Sequence, residues 1–168
     1  IRGEQTEAML DLRMVCLERR KQAVAALVDV LSTGDANTVA RADAAFAGLP
    51  DVADCTQIAA LKQVEALPSD PHTRTRLDAL AARLADARVR YQIGAFDVAL
   101  VAATKVADEA RTLGYRPMIA EASLLQGQLE HRTNKREAAV ATLETAVWAA
   151  EAGRHDEIAA RGWVLLVF

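Results

Sequence analysis

Aromatic residues are scarce in this chain, with 3 Phe, 2 Tyr and 2 Trp in 168 positions. Turn formers are scarce too, at 8 Gly and 4 Pro. A β-sandwich or barrel draws on aromatic strands and frequent Gly/Pro turns, so these counts argue against one, as they do against collagen and low-complexity linkers. There are only two cysteines, Cys16 and Cys55, and no Cys-x-x-Cys, which removes a zinc knuckle and a thioredoxin-like site. Basic charge is not in excess: 20 Lys and Arg face 23 Asp and Glu, for a net charge of −3. That balance argues against a nucleic-acid binder working by bulk electrostatics and leaves room only for a local basic patch. Long apolar runs are missing as well. Val98–Ala103 and Val164–Phe168 fall far short of the roughly 20 residues that cross a bilayer, so no membrane insertion is expected within the chain. The opening Ile1-Arg2-Gly3-Glu4 has no signal-peptide core. A start on Ile and an end on Phe168 inside an apolar run are what a piece of a longer protein would show, and the compartment stays open.

What the chain has in abundance is alanine, 36 of 168 residues, supported by Leu, Arg, Glu and Gln. These are the best helix formers, so the expectation is an all-α domain. Leu10, Met14, Leu17, Val24, Leu27, Val28 and Leu31 recur at three, four and seven residues, which predicts one long helix from Glu4 to Leu31, or two broken near its middle, with these residues on one face. Gly34 stops it, Asp35 can cap a helix over 36–47, and Gly48-Leu49-Pro50 ends that one. A third segment, 52–67, carries Ile58, Leu61, Val64 and Leu67 on one stripe. Pro68-Ser69-Asp70-Pro71 is the clearest break and divides residues 1–67 from 72–168. Beyond it the pattern predicts helices over 74–93, 96–113, 117–131, 137–151 and from 156 onward.

The second half repeats itself. Ala99 corresponds to Ala139, Val106 to Ala146 and Ala87 to Gly127, each 40 residues apart, and a further step reaches Val167. A fixed period near 40 with two helices per period is the pattern of an α-solenoid. The residues Trp163-Val164-Leu165-Leu166, Gly94-Ala95-Phe96-Asp97-Val98-Ala99 and the Ala139/Ala146 pair resemble the tetratricopeptide repeat (TPR). The resemblance covers about Thr75 to Phe168, as units 72–113, 117–152 and a truncated third from 156. No unit carries the whole motif: Asn134 stands where the family has Gly, Arg136 where it has an aromatic, and 40 exceeds its usual period. Arg2-Gly3-Glu4-Gln5-Thr6 followed by Leu10–Arg20 resembles a segment that precedes such repeats in large bacterial serine/threonine protein kinases. Together the resemblances imply a TPR-like solenoid with an atypical N-terminal helical segment, from the C-terminal sensor or docking region of such a kinase.

Motifs of chemistry are absent. The chain has no Gly-rich phosphate loop, strand Lys or Asp-Phe-Gly, and His131-Arg132-Thr133 holds only two letters of His-Arg-Asp. His72, His131 and His155 have no His or Cys at metal spacing on their own helices. Asp51/Asp54 and Asp156/Glu157 sit at helix starts, where the helix dipole accounts for them. No catalytic residue, metal or cofactor is therefore expected. Cys16 and Cys55 could form a disulfide if the third helix packs on the first; two buried thiols are the other reading.

In the TPR family the first helix of each unit lines a concave groove. By position, the resemblance implies groove residues Leu84, Arg88, Tyr91 and Gln92 in the first unit. It implies Glu121, Leu124, Gln128, His131 and Arg132 in the second, and Arg161 and Val164 in the third. Arg88, Arg132 and Arg161 would form a cationic stripe with Tyr91 as anchor, suited to a peptide or protein ligand. A simply solvated helix face has the same composition. Leu84/Leu124 and Arg88/Gln128 fill the slots where the family's carboxylate clamp has Lys and Asn, so a chaperone-tail clamp is not supported. The expected function is protein interaction, with self-association through the apolar end Trp163–Phe168 as the alternative.

Overall fold

The structure is a computed structural model and describes residues 7–167; Arg2–Thr6, part of the kinase-region resemblance, and Phe168 lie outside the described residues. The described residues form nine α-helices and one 3-10 turn, with no strand. In chain order they are α1 (Glu7–Ser32), α2 (Ala36–Ala40), α3 (Ala42–Ala47), the 3-10 turn Val52–Thr56, α4 (Ile58–Gln63), α5 (Pro71–Gln92), α6 (Phe96–Leu113), α7 (Arg116–Arg132), α8 (Arg136–Ala152) and α9 (Asp156–Val167). No described helix is long and apolar enough to cross a membrane.

From α5 onward, each helix packs on the next, and turns of two or three residues make the neighbours antiparallel. The caps follow ordinary helix chemistry. The Asp70 carboxylate accepts from the Thr73 backbone N–H at 2.8 Å and from its hydroxyl at 2.6 Å, and Pro71 opens α5 where its missing N–H costs nothing. The turns after α5, α7 and α8 share one hydrogen-bond pattern. Ala95 N donates to Arg90 O at 2.9 Å, Lys135 N to Glu130 O at 2.8 Å and His155 N to Ala150 O at 2.8 Å. Each needs a left-handed residue one position earlier: Gly94 (φ 82°), Asn134 (φ 61°) and Arg154 (φ 55°). Gly94 and Asn134 stand 40 residues apart and perform the same turn.

The largest apolar cluster joins α5, α6 and α7 through Leu77, Leu80, Leu84, Ala103, Val106, Met118, Leu125 and Leu129. Its members on α6 (Ala99, Leu100, Ala103, Val106, Ala107, Ala110) recur at helical spacing. A second cluster joins α7, α8 and α9 through Ala120, Leu124, Leu143, Ala146, Ala150 and Ile158. The central helix α7 thus packs on both sides. Its Gly127 lies so close to α8 that a Cβ there would sit 2.7 Å from Leu143 Cγ. Ala87, Gly127, Ala99 and Ala139 are all buried, but the next step along the series, Val167, is 75% exposed. In α9 the close approach is made instead by Gly162, where a Cβ would sit 2.5 Å from Val147 Cγ2.

The N-terminal third departs more from the sequence pattern. The 36–47 segment breaks at Arg41 into two short helices. The 52–67 segment is not one helix. It begins as the 3-10 turn, whose Cys55 is joined to Cys16 of α1 by a disulfide with Cα atoms 5.6 Å apart. It then forms α4 and turns extended at Val64 (ψ 142°), where the Glu65 N–H donates to Gly153 O at 2.9 Å. The Tyr115 hydroxyl donates to Glu65 O at 2.8 Å, so the extended stretch is pinned at two places to the α5–α9 half. Burial pushes the Tyr115 hydroxyl pKa up to about 12. Helix α1 packs on α5 through a third cluster in which Leu27 and Val30 meet Ala45 and Val89. Most of the apolar face expected on α1 lies on the other side: Leu10, Met14, Leu17, Val24 and Val28 are exposed.

Candidate functional site

The sequence-predicted groove residues do not share one surface: Leu84 and Leu124 are buried in the two apolar clusters, and most of the others divide between two places. The first is a cleft at the C-terminal ends of α5 and α7. Gly94 reverses the chain after α5, which brings Tyr91 and Phe96 together with ring centroids 5.7 Å apart and planes tilted by 55°. Arg132, in the last turn of α7, places its guanidinium carbon 6.0 Å from the Tyr91 centroid and 5.7 Å from that of Phe96. Such cation–π contacts are each worth about 0.5–1 kcal/mol at exposed sites. They hold the guanidinium at the rim without occupying its hydrogen-bond donors.

The cleft has a volume of about 530 Å³ and is lined by Tyr91, Gln128, His131, Arg132, Leu143 and Leu165. It therefore spans α5, α7, α8 and α9. A shallower hollow of about 320 Å³ adjoins it, lined by Gln128, Ala160, Arg161, Val164 and Leu165. Gln128 and Leu165 border both, so the two form one depression with apolar walls from α8 and α9 and a polar rim from α5 and α7. Arg161 is turned to its own helix, where it pairs with Glu157 at 2.8 Å. Gln92 does not line the cleft; its side chain packs over Gly48 at the end of α3.

The second place is a buried carboxylate, Glu121 of α7. It accepts from Arg19 Nη1 of α1 at 2.9 Å and from Arg88 Nη2 of α5 at 3.0 Å, and His155 Nε2 lies 3.8 Å away at the start of α9. Four elements meet on one carboxyl group. Burial works against its ionisation, but the Arg19 guanidinium, His155 and the Arg88 guanidinium outweigh it and hold the Glu121 pKa well below the carboxylate range. Arg88 is therefore committed to Glu121 and does not join Arg132 in a free cationic stripe. Arg19 and His155 were not among the groove residues expected from the sequence. Arg19 lies 102 residues from Glu121, and nothing in either local pattern marks the pair.

No three His, Cys, Asp or Glu side chains come together as a metal-binding group among the described residues. Helix α7 buries three further polar side chains, Ser123, Gln126 and Glu130. Gln126 Nε2 donates to Glu130 Oε1 at 2.8 Å, while Ser123 Oγ, Gln126 Oε1 and Glu130 Oε2 have no partner among the described residues. Comparison with protein-family models, curated proteins and solved structures finds no match to this chain.

Proposed function

We propose that the chain is a non-catalytic protein-interaction module, a TPR-like solenoid segment that holds a peptide or a segment of a protein in the cleft between α5, α7, α8 and α9. The cleft carries the reading. Its volume of about 530 Å³ lies in the range of small-ligand and side-chain pockets. Leu143 and Leu165 provide an apolar floor, Tyr91 and Arg132 are the residue types favoured in binding hot spots, and Gln128 and His131 supply hydrogen-bonding groups. The solenoid reading is supported by the matching turns at Gly94 and Asn134 and by the buried small residues Ala87, Gly127, Ala99 and Ala139. The resemblance of Leu10–Arg20 to the segment that precedes such repeats supports the C-terminal sensor or docking region of a bacterial serine/threonine protein kinase as the setting.

The ligand the rim selects is an extended segment with an apolar side chain for the floor and a carboxylate for Arg132. The test is a random peptide library displayed on phage and panned against the immobilised chain. Selected peptides should share that pattern, and Arg132→Glu or Leu165→Arg should each weaken their binding at least about tenfold, the scale of one lost hot-spot contact. Peptides that bind both variants as well as the parent chain would refute the assignment to this cleft.

A further inference from the structure

We infer that α1 is a self-association element, through which two copies of the chain pair as a parallel, in-register coiled coil. Leu10, Leu17, Val24 and Leu31 stand seven residues apart, and Met14, Lys21 and Val28 form a second seven-residue series four positions on. That is the alternating spacing of a coiled-coil seam. The seam faces away from the molecule: Leu10 is 51%, Met14 56%, Leu17 40%, Val24 48% and Val28 61% exposed. The buried residues of the same helix, Cys16, Leu27 and Val30, lie on the adjoining face toward the body, and at the C-terminal end of the series Leu31 packs beside Leu27, so the free seam runs from Leu10 to Val28. An apolar stripe about 27 Å long, at 1.5 Å per residue from Leu10 to Val28 and interrupted only by Lys21, is more than scattered surface hydrophobicity.

The charges beside the seam select the occupant. Asp11 and Glu18 flank one edge and Arg13 and Arg20 the other. In two parallel copies in register, Arg13 of each chain meets Glu18 of the second copy, five residues on, and symmetry makes the contact twice. An antiparallel pair would set Glu18 against Glu18 and Arg20 against Arg20. Arg20 is already engaged with Asp51 O at 3.0 Å and with Asp54 at 3.3 Å, whereas Arg13 has no ion pair among the described residues; Glu18 pairs with Lys21 of its own helix at 2.6 Å, an exposed contact that pairing would exchange for one to Arg13 of the second copy. Lys21 is the one charged residue within the seam, and a single Lys at such a position sets register and a two-stranded state at some cost in stability. The helix is also held in advance, by the Cys16–Cys55 disulfide and by Leu27 and Val30 against α3 and α5, so pairing need not order it. The seam uses no cleft residue, and the inference stands apart from the peptide-binding reading.

The test is sedimentation velocity on the chain from low to high micromolar concentration, without reductant. The expected result is a species of twice the 18.1 kDa chain mass that becomes monomeric in the Leu17→Glu/Val24→Glu variant with an unchanged far-ultraviolet circular dichroism spectrum. Lys21→Cys should cross-link chain to chain on mild oxidation. Arg13→Glu and Glu18→Arg should each weaken the dimer about tenfold, and the two together should restore it. A monomer at every concentration overturns the inference. So does a dimer that survives Leu17→Glu/Val24→Glu, or one lost only on changing Trp163 in α9. A dimer whose Lys21→Cys form does not cross-link overturns the parallel register.

Discussion

Replacing Glu121 with Gln removes the one negative charge around which α1, α5, α7 and α9 meet, while preserving the volume of the side chain. Two guanidinium groups then face a neutral amide. Breaking a buried ion pair from one side typically costs about 3–5 kcal/mol. The guanidinium side chains are 31% exposed for Arg19 and 44% for Arg88, so both can regain water. The expected loss is correspondingly smaller, about 2–3 kcal/mol at neutral pH. In a chain of this size that corresponds to a fall of about 5–10 °C in Tm. The pH dependence follows from the direction of the shift. A carboxyl group whose folded pKa is depressed contributes stability above its unfolded pKa of about 4.3, and the contribution is lost as pH falls below it toward the folded value. The gap between parent and Glu121→Gln should therefore be constant from pH 7 to about 5 and narrow below that, at no more than about 1.4 kcal/mol per pH unit. Urea unfolding of both proteins across this range, without reductant, reads the gap directly. Equal midpoints at pH 7, or a gap that stays undiminished at pH 3, would refute the reasoning.

Three further outcomes are expected. Reducing the Cys16–Cys55 disulfide, which closes a separation of 39 residues, should lower stability by about 4 kcal/mol on the chain-entropy account, and an unchanged urea midpoint after reduction would contradict it. Gly127→Ala should drive a methyl group into Leu143; overpacking of about 1–3 kcal/mol exceeds the helix-propensity gain of about 1 kcal/mol, so a higher Tm in calorimetry would count against the close approach. Tyr115→Phe should cost about 1 kcal/mol by leaving the Glu65 carbonyl without its donor. The raised Tyr115 pKa stabilises the fold below about pH 10 and loses that contribution as pH rises toward about 12, so an alkaline unfolding limb identical in parent and variant would argue against its burial.

The helices of the second half were legible because their boundaries are written in strong signals. The predicted 96–113 helix is α6 to the residue, and 117–131 and 137–151 differ from α7 and α8 by one residue at each end. Gly94, Gly114 and Asn134 mark left-handed turns that most residues avoid. The first half was less legible because its structure depends on distant partners. The 52–67 stripe has helical spacing, yet a disulfide at Cys55 and a backbone bond from Glu65 to Gly153 divide it. On α1 the periodicity was read correctly as one face of a helix, but periodicity does not say which face meets the body. Leu27 and Leu31 of the predicted face and Val30 from outside it do, while Leu10, Met14, Leu17, Val24 and Val28 stay exposed. The same limit applies to the site. Tyr91, Gln128, His131 and Arg132 line one cleft, with Arg161 beside it, while Arg88 and Gln92 turn to Glu121 and Gly48. Position along a repeat places a side chain on a helix face; it does not show that Glu121 of α7 captures Arg88, or that Arg19 of α1 and His155 at the start of α9 converge on the same carboxylate.

The central claim, that the depression across α5, α7, α8 and α9 holds a partner segment, is tested most directly by nuclear magnetic resonance titration of the isotopically labelled chain with a selected peptide. The account predicts that the amide shifts concentrate at Tyr91, Gln128, His131, Arg132 and Leu165 and disappear in Arg132→Glu. Saturable binding that leaves those five amides unmoved and perturbs another surface would contradict it.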